Sequence, residues 1–585
     1  MCGIFGFYLK DKKIKNDQKE EAIKTLDLLK HRGPDNFNFW INEENNFFLG
    51  HTRLSIIDKS NKSHQPFVAN QTALSFNGEI YNYRKLRKDL EKDFKFNSTG
   101  DTEVLFNYLK KNKIQNLDNI DGMFAFAYYN NGELFLCTDI FGEKPLYYIS
   151  NEKGLFFSSE IKPLQKFLKI KKDFSEDKKN KFLTMGFLRE DTFFKNLYYS
   201  PPASIIKVKN GTIVEKKKYW NYQSLLSEKN KKKIIEPRDI IEVKNILVDS
   251  CNDRLNSDQP LSLLLSSGID STLLASIYKK ELNKNIECFH ASFQNINNTA
   301  SQINETPIAK EIAKHLKLDL FIKKVDIDLN YFNCSNLFEI FSQPNDNISS
   351  LLLDKLNKLV SEKYKVAISG LGADEIFYGY NGYHFFNKNL RFIKSSLFSN
   401  ILKLFNIFNF KKLKTFSYYN KFRKLDLIFS HLNYKFQNEL KKKNYDNLIF
   451  DKNFSFINNY SIVRFTSSLP YQMLTASDLA SMKHSLEIRS PYLNKKLLLK
   501  ILEFDPSSFI QYGQKYLQKS ILKNYLPIEL INKKKIGFVL KPNSFNSTAS
   551  AGHKEKSKSI ENSYGNIDRL YLRESIYNNF FTGQN

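Results

Sequence analysis

A cysteine stands second in the chain, in MCGIFGFYLKDKK, where loss of Met1 makes it the first residue. A terminal cysteine carries a nucleophile and a base together. Its α-amine titrates near neutrality and takes the thiol proton directly or through water. Cys2 could equally pack as a small hydrophobe, and position alone does not separate the two readings. A second chemistry is written at Ser266-Ser267-Gly268-Ile269-Asp270-Ser271. The apolar run LSLLL at 261–265 gives way there to small residues and then to the apolar helical pattern STLLASIY. Small residues let backbone N–H groups approach an anion, and a helix N-terminus adds favourable partial charge. No GK[ST] follows, so this is not a Walker A loop. Ser/Gly turns also end strands and helices with no ligand at all. Ser369-Gly370-Leu371-Gly372-Ala373-Asp374-Glu375 follows VAIS (366–369) in the same manner. Asp270 and Asp374, taken singly, read as N-caps of helices.

The elements that must position these residues fall into two patterns. Up to about residue 210 the chain shows short strand-like runs such as FFLGHTRLSIID, ALSFNGEIYN, MFAFAYY, ELFLCTD and PLYYIS. Helical periodicity appears at Gln18–Lys30 and Thr102–Lys110, so the first part reads as α+β. A polar, lysine-rich stretch, NYQSLLSEKNKKKIIEP (221–237), reads as a connection. Beyond it, strand–loop–helix units predict an α/β parallel sheet, with both small-residue loops at carboxyl ends of strands, where open sheets bind ligands. The expected organisation is a first domain at 2–210, a linker at 211–236, a second domain at 237–545 and a tail at 546–585. Ile393, Leu397, Ile401, Leu404, Phe405 and Phe408 mark one face of a basic amphipathic helix at 391–411, suited to core packing or to a membrane surface.

Composition narrows the function classes. The 585 residues include 51 Phe and 31 Tyr, which excludes a disordered chain and allows more than one core. No run approaches the roughly 18–20 apolar residues of a spanning helix, and the N-terminus lacks the features of a secretory signal. Cytoplasmic placement is therefore expected. Five scattered cysteines without a CxxC argue against a disulfide framework and a zinc cluster. The net charge of +27 is mostly lysine, in short runs such as Lys231–Lys233, Lys441–Lys443 and Lys533–Lys535. No nucleic-acid-binding motif accompanies it, so no nucleic-acid partner is expected.

Around Cys2 further motifs follow in order. They are Arg32-Gly33-Pro34-Asp35, Gly50-His51-Thr52-Arg53-Leu54-Ser55-Ile56-Ile57-Asp58, Phe76-Asn77-Gly78-Glu79-Ile80-Tyr81-Asn82, Gly100-Asp101-Thr102-Glu103, the run from Asp139 to Tyr148, and Ser158-Ser159-Glu160. Together these resemble the N-terminal-nucleophile glutaminase domain of class II glutamine amidotransferases, in the asparagine synthetase branch, and imply its layered αββα fold. The resemblance implies that Cys2 attacks the glutamine amide while Asn77 and the Gly78 backbone N–H hold the oxyanion. Arg53 would clamp the α-carboxylate, Glu79 and Asp101 would receive the α-ammonium, and the backbone of Leu54, Ser55, Ile56 and Ile57 would line the pocket.

The second half resembles the ATP-pyrophosphatase domain of the same family. Ser266, Ser267, Gly268, Asp270 and Ser271 stand as its SGGxDS pyrophosphate loop, with Ser267 in place of the commoner glycine. The stretch from Ser369 to Tyr380 is similar to the family signature SGxGxDExFxGY. By that likeness Ser369 and Gly370 contact ATP, Leu264 and Ala291 lie near the adenine, and Asp270 with Asp374 holds Mg²⁺. The stretch from Asp478 to Leu493 resembles DRxSMxxSxExRxPFL with Leu479 for the usual arginine, and Lys535-Ile536-Gly537-Phe538 resembles KxGF, whose lysine would neutralise phosphate. The implied activity joins ammonia from glutamine to an acyl-adenylate, with aspartate as the default acceptor and a homodimer as the family's usual assembly. Leu371 stands where many members carry an acidic residue. That keeps open another carboxylate, such as a sugar uronic acid of a surface glycan. A rival of a different class is a non-catalytic binding or regulatory scaffold, against which both half-sites retain their named groups.

Overall fold

The computed structural model describes residues 2–226, 231–294, 305–326, 331–384, 454–533 and 566–582. The central strands of the first half, such as Gly3–Leu9, Phe47–Arg53 and Gly122–Asn130, are buried on both faces. In β1 (Gly3–Leu9), Ile4 and Tyr8 point into one apolar cluster while Phe5, Phe7 and Leu9 point into another. The period of two in a continuous apolar run thus fills two cores, as a strand between layers must. One antiparallel sheet contains β1, β2 (Asn36–Ile41), β3 (Phe47–Arg53), β8 (Tyr147–Asn151), β9 (Gly154–Ser158) and β10 (Leu197–Tyr199), in the order β10-β8-β9-β1-β3-β2. The other contains β4 (Phe67–Ala69), β5 (Thr72–Ile80), β6 (Gly122–Asn130), β7 (Glu133–Thr138), β11 (Ser204–Lys209) and β12 (Thr212–Lys218), in the order β12-β11-β7-β6-β5-β4. Helices Asn16–Asp27 and Ile161–Leu168 cover the first sheet, and Asp101–Asn112 covers the second. The result is the expected αββα layering. Strand β12 and the short helix Tyr222–Leu225 occupy part of the stretch read above as linker, so the second sheet runs past residue 210.

The second half is a five-stranded parallel sheet of β13 (Leu261–Leu264), β14 (Glu287–Gln294), β15 (Leu320–Asp326), β16 (Val366–Ile368) and β17 (Glu487–Arg489). Their order is β15-β14-β13-β16-β17. Strands are added on one side of β13 and then on the other, so the order reverses between β13 and β16, which is where such sheets form a ligand crevice. Both small-residue loops leave the carboxyl ends of these two strands. Among the described residues no helix is long and apolar enough to cross a membrane. The amphipathic stretch at 391–411 and Lys535 lie outside the described residues.

Candidate active site

Strands β1 and β5 bring Cys2 and Asn77 together although they are 75 residues apart. The Cys2 backbone N–H donates to Asn77 Oδ1 at 3.0 Å. The amide nitrogen of Asn77 is buried with no hydrogen-bond partner among the described residues, a donor awaiting an acceptor. Gly78, beside it, has φ +150, and a Cβ there would lie 2.0 Å from the Met123 carbonyl oxygen. Only glycine lets β5 run that close to β6 at this point. Burial pushes the Cys2 thiol above its ordinary value. Its neutral form therefore prevails until a base takes the proton.

Arg53, at the end of β3, donates from Nη1 to the Ser60 carbonyl and from Nη2 to the carbonyls of Ile57 (both 3.2 Å) and Asp58. The loop thus aims the guanidinium and leaves part of its five-donor fork for another acceptor. Leu54, Ile56 and Ile57 are buried beneath it. The other half of the chain braces this loop: Gln259 Nε2 donates to Ser55 O at 2.9 Å, and the Asp258 N–H donates to Ile56 O at 2.9 Å. Glu79 and Asp101 are buried close by, with Asp101 Oδ2 accepting the Ile80 N–H at 3.0 Å. Glu79 also faces Arg489 Nη2 at 3.1 Å, and Arg489 Nε donates to Glu487 at 2.6 Å. Two buried carboxylates, Glu79 and Glu487, therefore share one guanidinium, with Asp101 buried close by. Burial raises Glu79 well above the usual carboxylate range, and it raises Asp101 to about 6. Both shifts come first from burial, with neighbouring carboxylates adding to it and Arg489 opposing it.

In the second half the loop after β13 folds on its own hydroxyls. Ser271 Oγ accepts the Ser266 N–H at 3.1 Å, and Ser266 Oγ accepts the Gly268 N–H at 3.1 Å. Ser267 Oγ is buried without a partner among the described residues. Gly370 brings the loop after β16 against this one, since a Cβ there would sit 3.2 Å from Asp270 Cβ and 3.3 Å from the Ser271 nitrogen. Asp270 and Asp374 then converge on a single cation. Lys515 Nζ contacts Asp270 and lies 2.7 Å from Asp374 Oδ1. Leu264 ends β13 and pairs with Phe289 of the adjacent β14, so Ala291, two residues on in β14, lies just past the carboxyl end of β13.

Residues 1–220 match the family model described as a glutamine amidotransferase domain, and residues 242–580 match the one described as asparagine synthase. The chain belongs to the asparagine synthase family. Its two parts are those of an ATP-dependent, glutamine-hydrolysing ligase. It is 28% identical over 568 residues to asparagine synthetase [glutamine-hydrolyzing] 1 of Bacillus subtilis, covering 92% of this chain and 87% of that protein. A putative asparagine synthetase [glutamine-hydrolyzing] 2 of Methanocaldococcus jannaschii is 29% identical over 433 residues, with 67% and 79% covered. Asparagine synthetase B of Escherichia coli is 28% identical over 406 residues, with 66% and 65% covered.

Several residues of this family site carry no role in the reading of the sequence. Arg32 is fully buried and holds three groups: its Nε donates to the Cys2 carbonyl (3.0 Å), Nη1 to Glu160 (3.0 Å) and Nη2 to Asp478 (2.8 Å). Burial alone would raise Glu160, but His31 and Arg32 outweigh it and hold that carboxyl at about 2. Asp478 belongs to the second half, so Arg32 ties the Cys2 backbone directly to the synthetase domain. Arg32 and Asp478 both lie in motifs quoted above, yet their pairing spans 446 residues and leaves no local signal. Lys515 sits in no quoted motif and is hidden among 89 basic residues.

Proposed function

We propose that this chain is a glutamine-dependent asparagine synthetase. With Met1 removed, the free α-amine takes the Cys2 thiol proton and the thiolate attacks the side-chain amide carbon of glutamine. Asn77 Nδ2 and the Gly78 N–H hold the oxyanion, where fixed donors stabilise charge most. The C–N bond breaks, the α-ammonium returns its proton to the leaving nitrogen, and ammonia departs. Water then hydrolyses the γ-glutamyl thioester to glutamate. Arg53 binds the substrate α-carboxylate, and the substrate's α-ammonium enters the buried pocket of Glu79 and Asp101.

At the second site the side-chain carboxylate of aspartate attacks the α-phosphorus of ATP, the bond to the β-phosphate breaks, and pyrophosphate leaves. Ammonia attacks the acyl carbon of the aspartyl-adenylate, the acyl C–O bond breaks, and AMP and asparagine form. Asp270 and Asp374 converge on one cation position, which fits the one or two carboxylates that Mg²⁺ takes from a protein beside substrate phosphates. When bound, the ion neutralises charge on the departing pyrophosphate. The Ser266–Ser271 loop cradles the phosphates, Ser369 and Gly370 contact the nucleotide, and Lys535 supplies a further positive charge. Ammonia must travel between the sites without meeting bulk water, where it becomes ammonium and loses its nucleophilic pair.

The observation that carries this reading is the pairing of Cys2 with an Asn77 whose amide donor is unclaimed among the described residues, in a chain whose second half brings Asp270 and Asp374 together at a sheet switch point. One observation favours a second acceptor. Leu371 packs against the apolar core, and a leucine there neither moves a proton nor pairs with an amine. The test is pyrophosphate release with ATP, Mg²⁺ and glutamine, offering aspartate and then a panel of uronic acids. Aspartate-dependent pyrophosphate with asparagine supports the proposal. Turnover with a uronic acid alone moves the same chemistry to a sugar carboxylate, and silence with every acceptor refutes catalysis.

A further inference from the structure

The C-terminal helix Asn566–Thr582 contributes to neither reaction centre, yet both halves of the chain meet on it. Arg573 is 2% exposed. Its Nε donates to Asp346 Oδ2 at 2.8 Å, and its Nη1 donates to the carbonyls of Leu183 and Thr184 at 3.0 and 2.7 Å. Asp346 is equally buried. Its Oδ1 accepts Gln472 Nε2 at 2.9 Å, and its backbone N–H donates to Gly186 O at 2.8 Å. One guanidinium–carboxylate pair thus gathers the last turn of Glu176–Met185 from the first half, and from the second half the loop before Ser350–Ser361 and the π-helical segment Arg464–Leu474. Aromatic packing surrounds the pair. The Phe580 ring lies 5.8 Å from Phe194 of the first half and 5.4 Å from Phe338 of the second.

The location of this pair is informative. A buried ion pair adds little net stability over apolar packing, but its geometry admits few alternatives, and breaking it leaves an uncompensated charge. The segment that Asp346 holds through Gln472 continues without a break into Thr475–Met482, which carries Asp478. Asp478 receives Arg32, and Arg32 holds the Cys2 carbonyl. A continuous line of hydrogen bonds and one helix therefore runs from the C-terminal helix to the nucleophile.

We propose that Arg573 and Asp346 are positioning residues that clamp the glutaminase half onto the synthetase half, keeping Asp478 on Arg32 and so keeping released ammonia inside the molecule. The clamp rests on the proposed ammonia transfer. The test uses the full-length enzyme with Arg573→Met and Arg573→Lys, scoring glutamate formed per amide formed, synthesis driven by ammonium chloride, and hydrogen exchange. The unmodified enzyme should give a ratio near one. Arg573→Met should raise that ratio about threefold or more while ammonia-driven synthesis stays within about twofold, and residues 183–186 and 470–478 should exchange faster. Arg573→Lys should fall between, since it keeps the charge on Asp346 but loses the fork that also reaches Leu183 and Thr184. An unchanged ratio in Arg573→Met, or an equal fall in glutamine- and ammonia-driven synthesis, would overturn the clamp. If the unmodified enzyme forms no amide with any acceptor, the functional reading fails separately, and exchange still decides: unchanged rates at both segments refute the clamp.

Discussion

Asn77 has two polar atoms with different duties, and a single isosteric change separates them. Its Oδ1 accepts the Cys2 N–H at 3.0 Å, while its buried nitrogen has no partner among the described residues. Asn77→Asp keeps the acceptor and the shape but replaces the donor with an oxygen. Losing one oxyanion donor costs about 10²–10³ in kcat, or about 2.7–4 kcal/mol of transition-state stabilisation. The new carboxylate would face the developing oxyanion in a water-poor site, so the loss should reach the upper end, about 10³. KM for glutamine should change little, because the ground-state carbonyl gains far less from this donor than the oxyanion does. Ammonia-driven synthesis should be preserved, since Asn77 lies in the glutaminase half. The assay is glutamate release at saturating glutamine, alongside pyrophosphate release with ammonium chloride. Asn77→Ala should match the loss in kcat and in addition shift the Cys2 backbone. Retention of glutaminase turnover within about tenfold in Asn77→Asp would show that the nitrogen is not an oxyanion donor.

Three further outcomes follow from the same geometry. Cys2→Ala should abolish glutamine-driven synthesis and leave ammonia-driven synthesis intact; persistence of both would remove Cys2 as nucleophile. Burial raises Asp101 to about 6, and in its proposed role it receives the substrate ammonium only as the anion. So kcat/KM for glutamine should fall as pH drops through 6, and Asp101→Asn should lower the value and make the acid limb shallower, the part due to Glu79, which burial also raises, remaining. Arg32→Met should lower unfolding free energy by about 3 kcal/mol, the low end for stripping a cation from buried carboxylates. The low end applies because Lys144 remains 3.6 Å from Asp478 and His31 remains 3.0 Å from Glu160. Urea unfolding checks the value, and a change under about 0.5 kcal/mol, typical of a surface substitution, would remove Arg32 as the tie between the halves.

How far each feature could be read in advance depended on the range of the interaction behind it. Strand β1 was legible because Ile4 and Tyr8 alternate with Phe5 and Phe7, a local pattern that burial on two faces imposes. The loops after β13 and β16 were legible as breaks because small residues follow short apolar runs at both places. The switch point followed only once β16 was seen to pair with the far side of β13. Arg32 with Asp478, Glu79 with Arg489, and Lys515 with Asp270 and Asp374 were not legible as pairs, since each joins residues far apart in the chain through packing of whole layers. The helix Asn566–Thr582 was missed for a different reason. Its buried face mixes Arg573 and Ser575 with Leu572, Ile576, Tyr577 and Phe580, which blurs the apolar stripe that periodicity detects.

The account centres on one chemical event, the activation of a carboxylate as its adenylate so that ammonia from Cys2 chemistry can displace AMP. Turnover of aspartate labelled with ¹⁸O in its side-chain carboxylate, with ATP, Mg²⁺ and glutamine, follows that event atom by atom. The account predicts pyrophosphate, asparagine and an AMP that carries one labelled oxygen. Unlabelled AMP, or ADP with phosphate in place of AMP with pyrophosphate, would contradict it.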